Sequence, residues 1–142
     1  MVYIDQVEGT DIFQLRLRIG NRGPLYCTAA GKSILAFLEE NELENILKDL
    51  NLTRLTEKTI TSLKHLKKEL KVIKRTGFSF CEREYDKYLR AIGPPIIGLG
   101  SKVIGAVVFV ASSNRIRIKE VSYFGNMVKE TGLRISLEWA EE

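Results

Sequence analysis

At 142 residues, with 44% hydrophobic and 28% charged side chains, the chain has the size and composition of one soluble domain with a core of its own. No apolar stretch approaches the length of a membrane-spanning helix, and the N-terminus lacks the basic-then-apolar layout of a signal peptide. The two cysteines are far apart and the single histidine, His65, has no ligand partner at metal spacing, so a metal site is excluded and a reduced, cytoplasmic protein is expected.

From the N-terminus, VYIDQVEG reads as a strand, and a Gly-Thr-Asp turn leads to a second strand, IFQLRLRI, with a mostly period-two pattern. The loop GNRGP is rich in residues that permit or fix unusual backbone angles. Thr28 then suits the N-cap of a helix over AAGKSILAFL, and NELENILKDL reads as a second helix. A third helix begins after Thr61 or Ser62 and stops at Gly77. Its face of Lys64, Lys67, Lys68, Lys71, Lys74 and Arg75 lies opposite Leu63, Leu66, Leu70 and Ile73. Basic residues opposite an apolar stripe are a solvated face, and no aromatics interleave with them as a single-strand platform requires. The net charge of +4 is therefore not read as a nucleic-acid surface.

From Phe78 the pattern returns to strands: FSFCERE, RAIGPPII and VIGAVVFVA, the last two joined by the turn GLGS. VIGAVVFV is apolar at every other position and between, which predicts cover on both faces. An amphipathic helix from about Ile118 to Trp139 closes the chain, with Val121, Phe124, Val128, Ile135 and Trp139 as its buried stripe and Gly132 weakening its middle. The predicted class is α+β, a mainly antiparallel sheet flanked by helices, within a single domain over residues 1–142.

Catalytic chemistry finds little support. Cys81 as a nucleophile would need a base, and His65 sits among lysines on an exposed helix face. Glu82, Glu84 and Asp86 read as a solvated strand end rather than an acid pair. GLGS lies between strands, not at a strand-to-helix phosphate loop, so no cofactor is expected. The segment PLYCTAAGK is different: it puts small residues at a helix N-terminus, where unpaired N–H groups favour an anion or carbonyl oxygen. The competing explanation is that Ala29, Ala30 and Gly31 are small only so that the helix can pack closely.

Taken together, VYIDQVEG, RIGNRGPLYCTAAGKSILAFL and LTEKTIT resemble the effector-binding domain of the IclR family of transcription regulators. The region running from Gly77 through Glu84 to Ala91, Ile92, Gly93 and Ile96 matches that family's signature spacing. It departs at Cys81, where the signature has Asp or Ser, and at Ile97 and Gly98, where it has an aromatic-type residue and Asp or Asn.

The resemblance implies a GAF/profilin-like sensor fold and an effector pocket lined by Ile12, Leu15, Gly23, Thr28, Ala29, Ala30, Cys81, Leu89, Ala91, Val108 and Val110. Some members hold a small organic acid there with an acidic residue and strand serines. With Cys81, Val108 and Val110 at those places, a buried carboxylate would lack partners, so a more apolar effector is expected, aromatic or short acyl. The resemblance further implies a homodimer or tetramer, no membrane association, and DNA contact only through an N-terminal winged helix-turn-helix that precedes this domain in the family. An expressed fragment is expected, and a lost strand would leave a sheet edge open to self-pairing. A dimerisation module with a vestigial pocket and a Cys81 thiol enzyme or redox sensor are the alternative readings.

Overall fold

The computed structural model describes residues 1–9 and 18–141. Residues 12–17 of the expected second strand, with the candidates Ile12 and Leu15, lie outside the described residues. The first three helices follow the sequence pattern closely: α1 (Ala29–Phe37), α2 (Glu40–Lys48) and α3 (Leu63–Thr76). Thr28 caps α1, its hydroxyl accepting from the Gly31 N–H at 3.1 Å. Acidic Glu40 and Glu42 open α2 and Lys48 closes it, which suits the helix dipole. Gly77 ends α3 in the left-handed region at φ 84°, its N–H returning to the Ile73 carbonyl at 2.8 Å. All six basic side chains of α3 are exposed, as a solvated face requires.

These helices enclose the larger core. Leu35 and Ala36 of α1, Leu47 of α2, and Leu66, Leu70 and Ile73 of α3 are buried together with Tyr26 and Cys27 from the preceding loop. The Tyr26 hydroxyl avoids an unpaired burial by donating to the Thr53 carbonyl at 2.6 Å.

The C-terminal half forms a bent antiparallel hairpin rather than three continuous strands. β1 (Ser79–Glu82), β2 (Leu89–Gly93) and β5 (Phe109–Ser112) make one sheet in the order β1-β2-β5, while β3 (Pro95–Ile97) and β4 (Val103–Ala106) pair separately. RAIGPPII breaks at Pro94, because proline has no N–H for the ladder. VIGAVVFVA breaks opposite it, at Val107 and Val108. Cover on both faces, predicted for that segment, is found only in part. Among the described residues β5 pairs with β2 alone and β4 with β3 alone, and Ile104 and Phe109 remain substantially exposed. The opening segment likewise falls short of a strand. Val2 makes an isolated bridge with Arg22, and Ile4 and Val7 are exposed.

Helix α1 covers one face of the sheet and α4 (Val121–Glu141) the other. Registers Cys81↔Ala91 and Ala91↔Val110 set one row of side chains towards Ala29 of α1. The alternate row carries Phe109, whose ring meets Phe124 of α4 at 5.4 Å between centroids.

The stripe expected on α4 needs correcting. Val121, Phe124, Val128 and Ile135 are half-buried, and Trp139 is 56% exposed. The buried positions are instead Gly125 and Gly132, seven residues apart on one face. A Cβ on Gly132 would lie 2.8 Å from Cγ of Pro94, and one on Gly125 would run into the Phe78 ring. Glycine here sets how close α4 can come to the sheet.

Candidate effector cavity

Where the N-terminus of α1 meets the row Cys81, Ala91 and Val110, the side chains are too small to close the space. They leave a cavity of about 50 Å³. Eight residues singled out from the sequence line it: Thr28, Ala29 and Ala30 from α1 and its cap, Cys81 from β1, Leu89 and Ala91 from β2, and Val108 and Val110 from β5 and the residue before its start. Gly23 lies outside. A Cβ there would stand 2.6 Å from Cε of Met1 and 3.1 Å from the Tyr3 hydroxyl oxygen, so its smallness makes room for both, and Tyr3 does line the cavity.

Gly31 also answers to packing. An added Cβ would sit 2.7 Å from the carbonyl carbon of Leu25. The small-residue run therefore divides, with Ala29 and Ala30 facing the void and Gly31 seating the helix on the preceding loop.

The polar groups here are largely committed. The Thr28 hydroxyl donates to the Pro24 carbonyl at 2.7 Å while it caps α1. The Cys81 thiol donates to the Cys27 carbonyl at 3.2 Å. Arg90 lines the cavity, but its guanidinium binds both Glu82 oxygens at 2.6 and 2.9 Å and the carbonyls of Ser113 and Ile116. That leaves the N–H groups of Ala29 and Ala30 in the first turn of α1, which have no helical acceptor.

Burial pushes the Cys81 thiol up to about 11, with the Glu84 carboxylate adding to the effect, and burial takes Cys27 to about 12. A nucleophilic thiol needs the opposite shift. Tyr3 is also pushed up to about 12, first by burial and then by neighbouring Tyr85.

Tyr3, Tyr85, Asp86 and Arg90 complete the lining and were not among the residues expected. Tyr85 and Asp86 belong to the loop after β1, whose acidic residues the sequence marked as a solvated strand end. Glu84 contradicts that description most directly. It is buried, and its Oε1 accepts from Lys32 of α1 at 2.6 Å. Lys32 is itself fully buried and also reaches Glu69 of α3 at 3.1 Å and the Phe80 carbonyl at 2.8 Å. Burial raises the Glu84 pKa above the usual carboxylate value, while two carboxylates outweigh burial and hold Lys32 charged. The signature spacing marks Glu84, but composition and periodicity give no sign of its pairing with Lys32, since lysine and glutamate are ordinarily solvated.

Comparison with known proteins agrees with this architecture. Residues 1–137 match the family described as "Bacterial transcriptional regulator IclR C-terminal". The chain is 31% identical over 135 residues to the HTH-type transcriptional regulator KipR of Bacillus subtilis, covering 95% of this chain and 54% of that protein. It is 29% identical over 138 residues to the transcriptional repressor IclR of Escherichia coli, covering 97% and 50%. Among solved structures, the Thermotoga maritima IclR superimposes with a TM-score of 0.93 at 33% identity, over 97% of this chain and 56% of that one. The fold and the family match thus define the C-terminal domain of a transcription regulator. The chain belongs to the IclR family. It spans about half the length of the curated relatives it matches, and those relatives are transcriptional regulators rather than enzymes. Among the described residues, no helix is long and apolar enough to cross a membrane.

Proposed function

We propose that this domain senses a small-molecule effector in the cavity between α1 and the β1-β2-β5 sheet, and passes that state to DNA-reading elements elsewhere in a longer regulator. The observation that carries this reading is the void itself. Small side chains from four separate chain segments converge on the free N–H groups at the start of α1. Close-packed interiors leave few voids larger than a water molecule. The effector acts if it binds two subunit arrangements unequally, because half-site spacing on DNA is set by how the subunits sit. Self-association into a dimer or tetramer belongs to the same proposal. Its support is the exposed apolar face of α4, where Tyr123, Met127, Leu133 and Leu137 lie within one third of the helix circumference. A cytoplasmic location follows from this role.

The cavity's size constrains the effector. About 50 Å³ holds one or two water molecules, whereas a cavity of about 150 Å³ takes benzene. An aromatic or short-acyl compound therefore enters only if side chains at the cavity wall move. A thermal-shift screen against small acids, aromatics and acyl compounds tests the proposal. A ligand at 100 times its Kd adds about 2.7 kcal/mol of stability, which raises Tm by roughly 5–10 °C in a domain of this size. Ala30→Leu, which fills the void, abolishes that shift. If a broad panel gives no shift, the domain is a dimerisation module with a vestigial cavity.

A further inference from the structure

The cavity has a larger neighbour. An open groove of about 660 Å³ runs between the turn at Leu55–Lys58 and the loop at Arg83–Tyr88. Tyr85 and Asp86 line both the groove and the smaller cavity, so they are the wall between the two. We infer that cavity and groove are two compartments of one ligand site, parted by Tyr85 and Asp86, and that its ligand has a compact apolar end inside and an anionic end in the groove. The inference rests on the reading of the cavity as an effector site.

The wall is built so that a side chain can move while its backbone stays. On one side, the Thr56 hydroxyl donates to the Arg83 carbonyl at 2.7 Å, and the Thr59 hydroxyl donates to the Glu84 carbonyl at 2.7 Å. Beyond the wall, Asp86 Oδ1 accepts from the Tyr88 N–H at 2.8 Å, and the Asp86 carbonyl accepts from the Leu89 N–H at 3.1 Å. Between these anchors the Tyr85 side chain is 40% exposed, and none of the bonds just named involves it. Exposed side chains change rotamer within nanoseconds, so turning Tyr85 outwards joins the compartments without unfolding the loop.

Charge sets the ligand's direction. Inside, the cationic side chain among the described lining residues is Arg90, already held by Glu82 and two carbonyls, and Asp86 would repel an anion at the wall. In the groove stand Lys58, Arg83 and Lys87 against Glu57 and Asp86. Arg83 is shared with Glu82, whereas Lys58 and Lys87 have no ion-pair partner among the described residues; Lys87 lies 4.9 Å over the Tyr88 ring. An anion loses least by staying with these two lysines, and an apolar group gains most by entering among Ala29, Ala91 and Val110.

Calorimetric titration of this chain with butyrate, hexanoate and their neutral amides tests the arrangement. At least one acid is expected to bind more tightly than its amide. Replacing both lysines (Lys58→Ala with Lys87→Ala) should weaken the acid by about threefold to tenfold, as exposed charge contacts do, and leave the amide unchanged. Ala30→Leu should abolish binding of both. Equal binding of acid and amide, no binding of either acid, or an acid indifferent to the lysine pair overturns the two-compartment site. If the amides bind and Ala30→Leu abolishes that binding, the effector reading survives on its own; if Ala30→Leu leaves binding intact, that reading fails too. A ligand-free measurement addresses the wall. Tyr85→Ala should speed modification of Cys81 by methyl methanethiosulfonate several-fold, mapped by mass spectrometry, with Cys27 unaffected. An unchanged Cys81 rate contradicts a wall made by Tyr85.

Discussion

Helix α1 passes from one kind of packing to another within three turns. Its later residues, Leu35 and Ala36, enter a cluster with Leu47, Leu66, Leu70 and Ile73, where large side chains fill the space between helices. Its first residue, Ala29, enters a cluster of Cys81 and Ala91 with Val108 and Val110 at its edge. Between the two, on the same helix, Lys32 is buried against Glu84 and Glu69. The difference teaches that the first cluster secures the fold, while the second keeps a space open beside a helix end that the first holds still. Lys32 ties the two together. Its partner Glu84 is two residues before Asp86 in the wall, and its partner Glu69 belongs to α3.

The largest effect is expected at that tie. Lys32→Met leaves Glu84 buried without its cation, which should cost about 3–5 kcal/mol in denaturant unfolding. Because Glu84 already holds its proton more strongly than usual, the folded variant will take up a proton as pH falls, so the deficit should shrink towards acid pH. A deficit independent of pH would break the assignment. Next, Leu66→Ala should cost about 2–5 kcal/mol, and Val110→Ala, at the edge of an existing void, about 1 kcal/mol. Equal costs would erase the distinction between the clusters. Smaller again, Glu82→Gln should remove about 1 kcal/mol or less on the far side of the sheet, because the pair with Arg90 is partly solvated. Hydrogen bonds from Arg90 hold the Glu82 pKa below its ordinary 4.5. Its contribution is therefore complete above that value and lost as pH falls through the lowered one, so wild type and variant should converge in acid. Ala30→Leu sharpens the contrast from the other direction, since it should cost about 1–3 kcal/mol by overpacking while removing the response to ligand.

Much of this division was legible in the sequence. Thr28, Gly77 and the 3.6-residue apolar spacing of α3 mark the helices through local chemistry, and the family resemblance brings eight of the cavity residues into view. What escaped depends on tertiary placement. Glu84 and Lys32 look solvated until the sheet sets one beside the other. Gly132 reads as a weak point in a helix, yet it is where α4 touches Pro94. Tyr85 and Asp86 follow a strand like any loop residues, and only the fold stands them between two spaces. The break at Pro94 follows from a rule visible in the sequence, a missing N–H, whereas its echo at Val107 and Val108 does not.

The most direct test of the central claim is methyl-resolved NMR of this chain, titrated with the compound that most raises its Tm. Shifts are expected at the methyls of Ala29, Ala30, Ala91, Val108 and Val110, with those of Leu35, Leu47 and Leu66 unmoved. Shifts confined to α4, or spread evenly over both clusters, would contradict it.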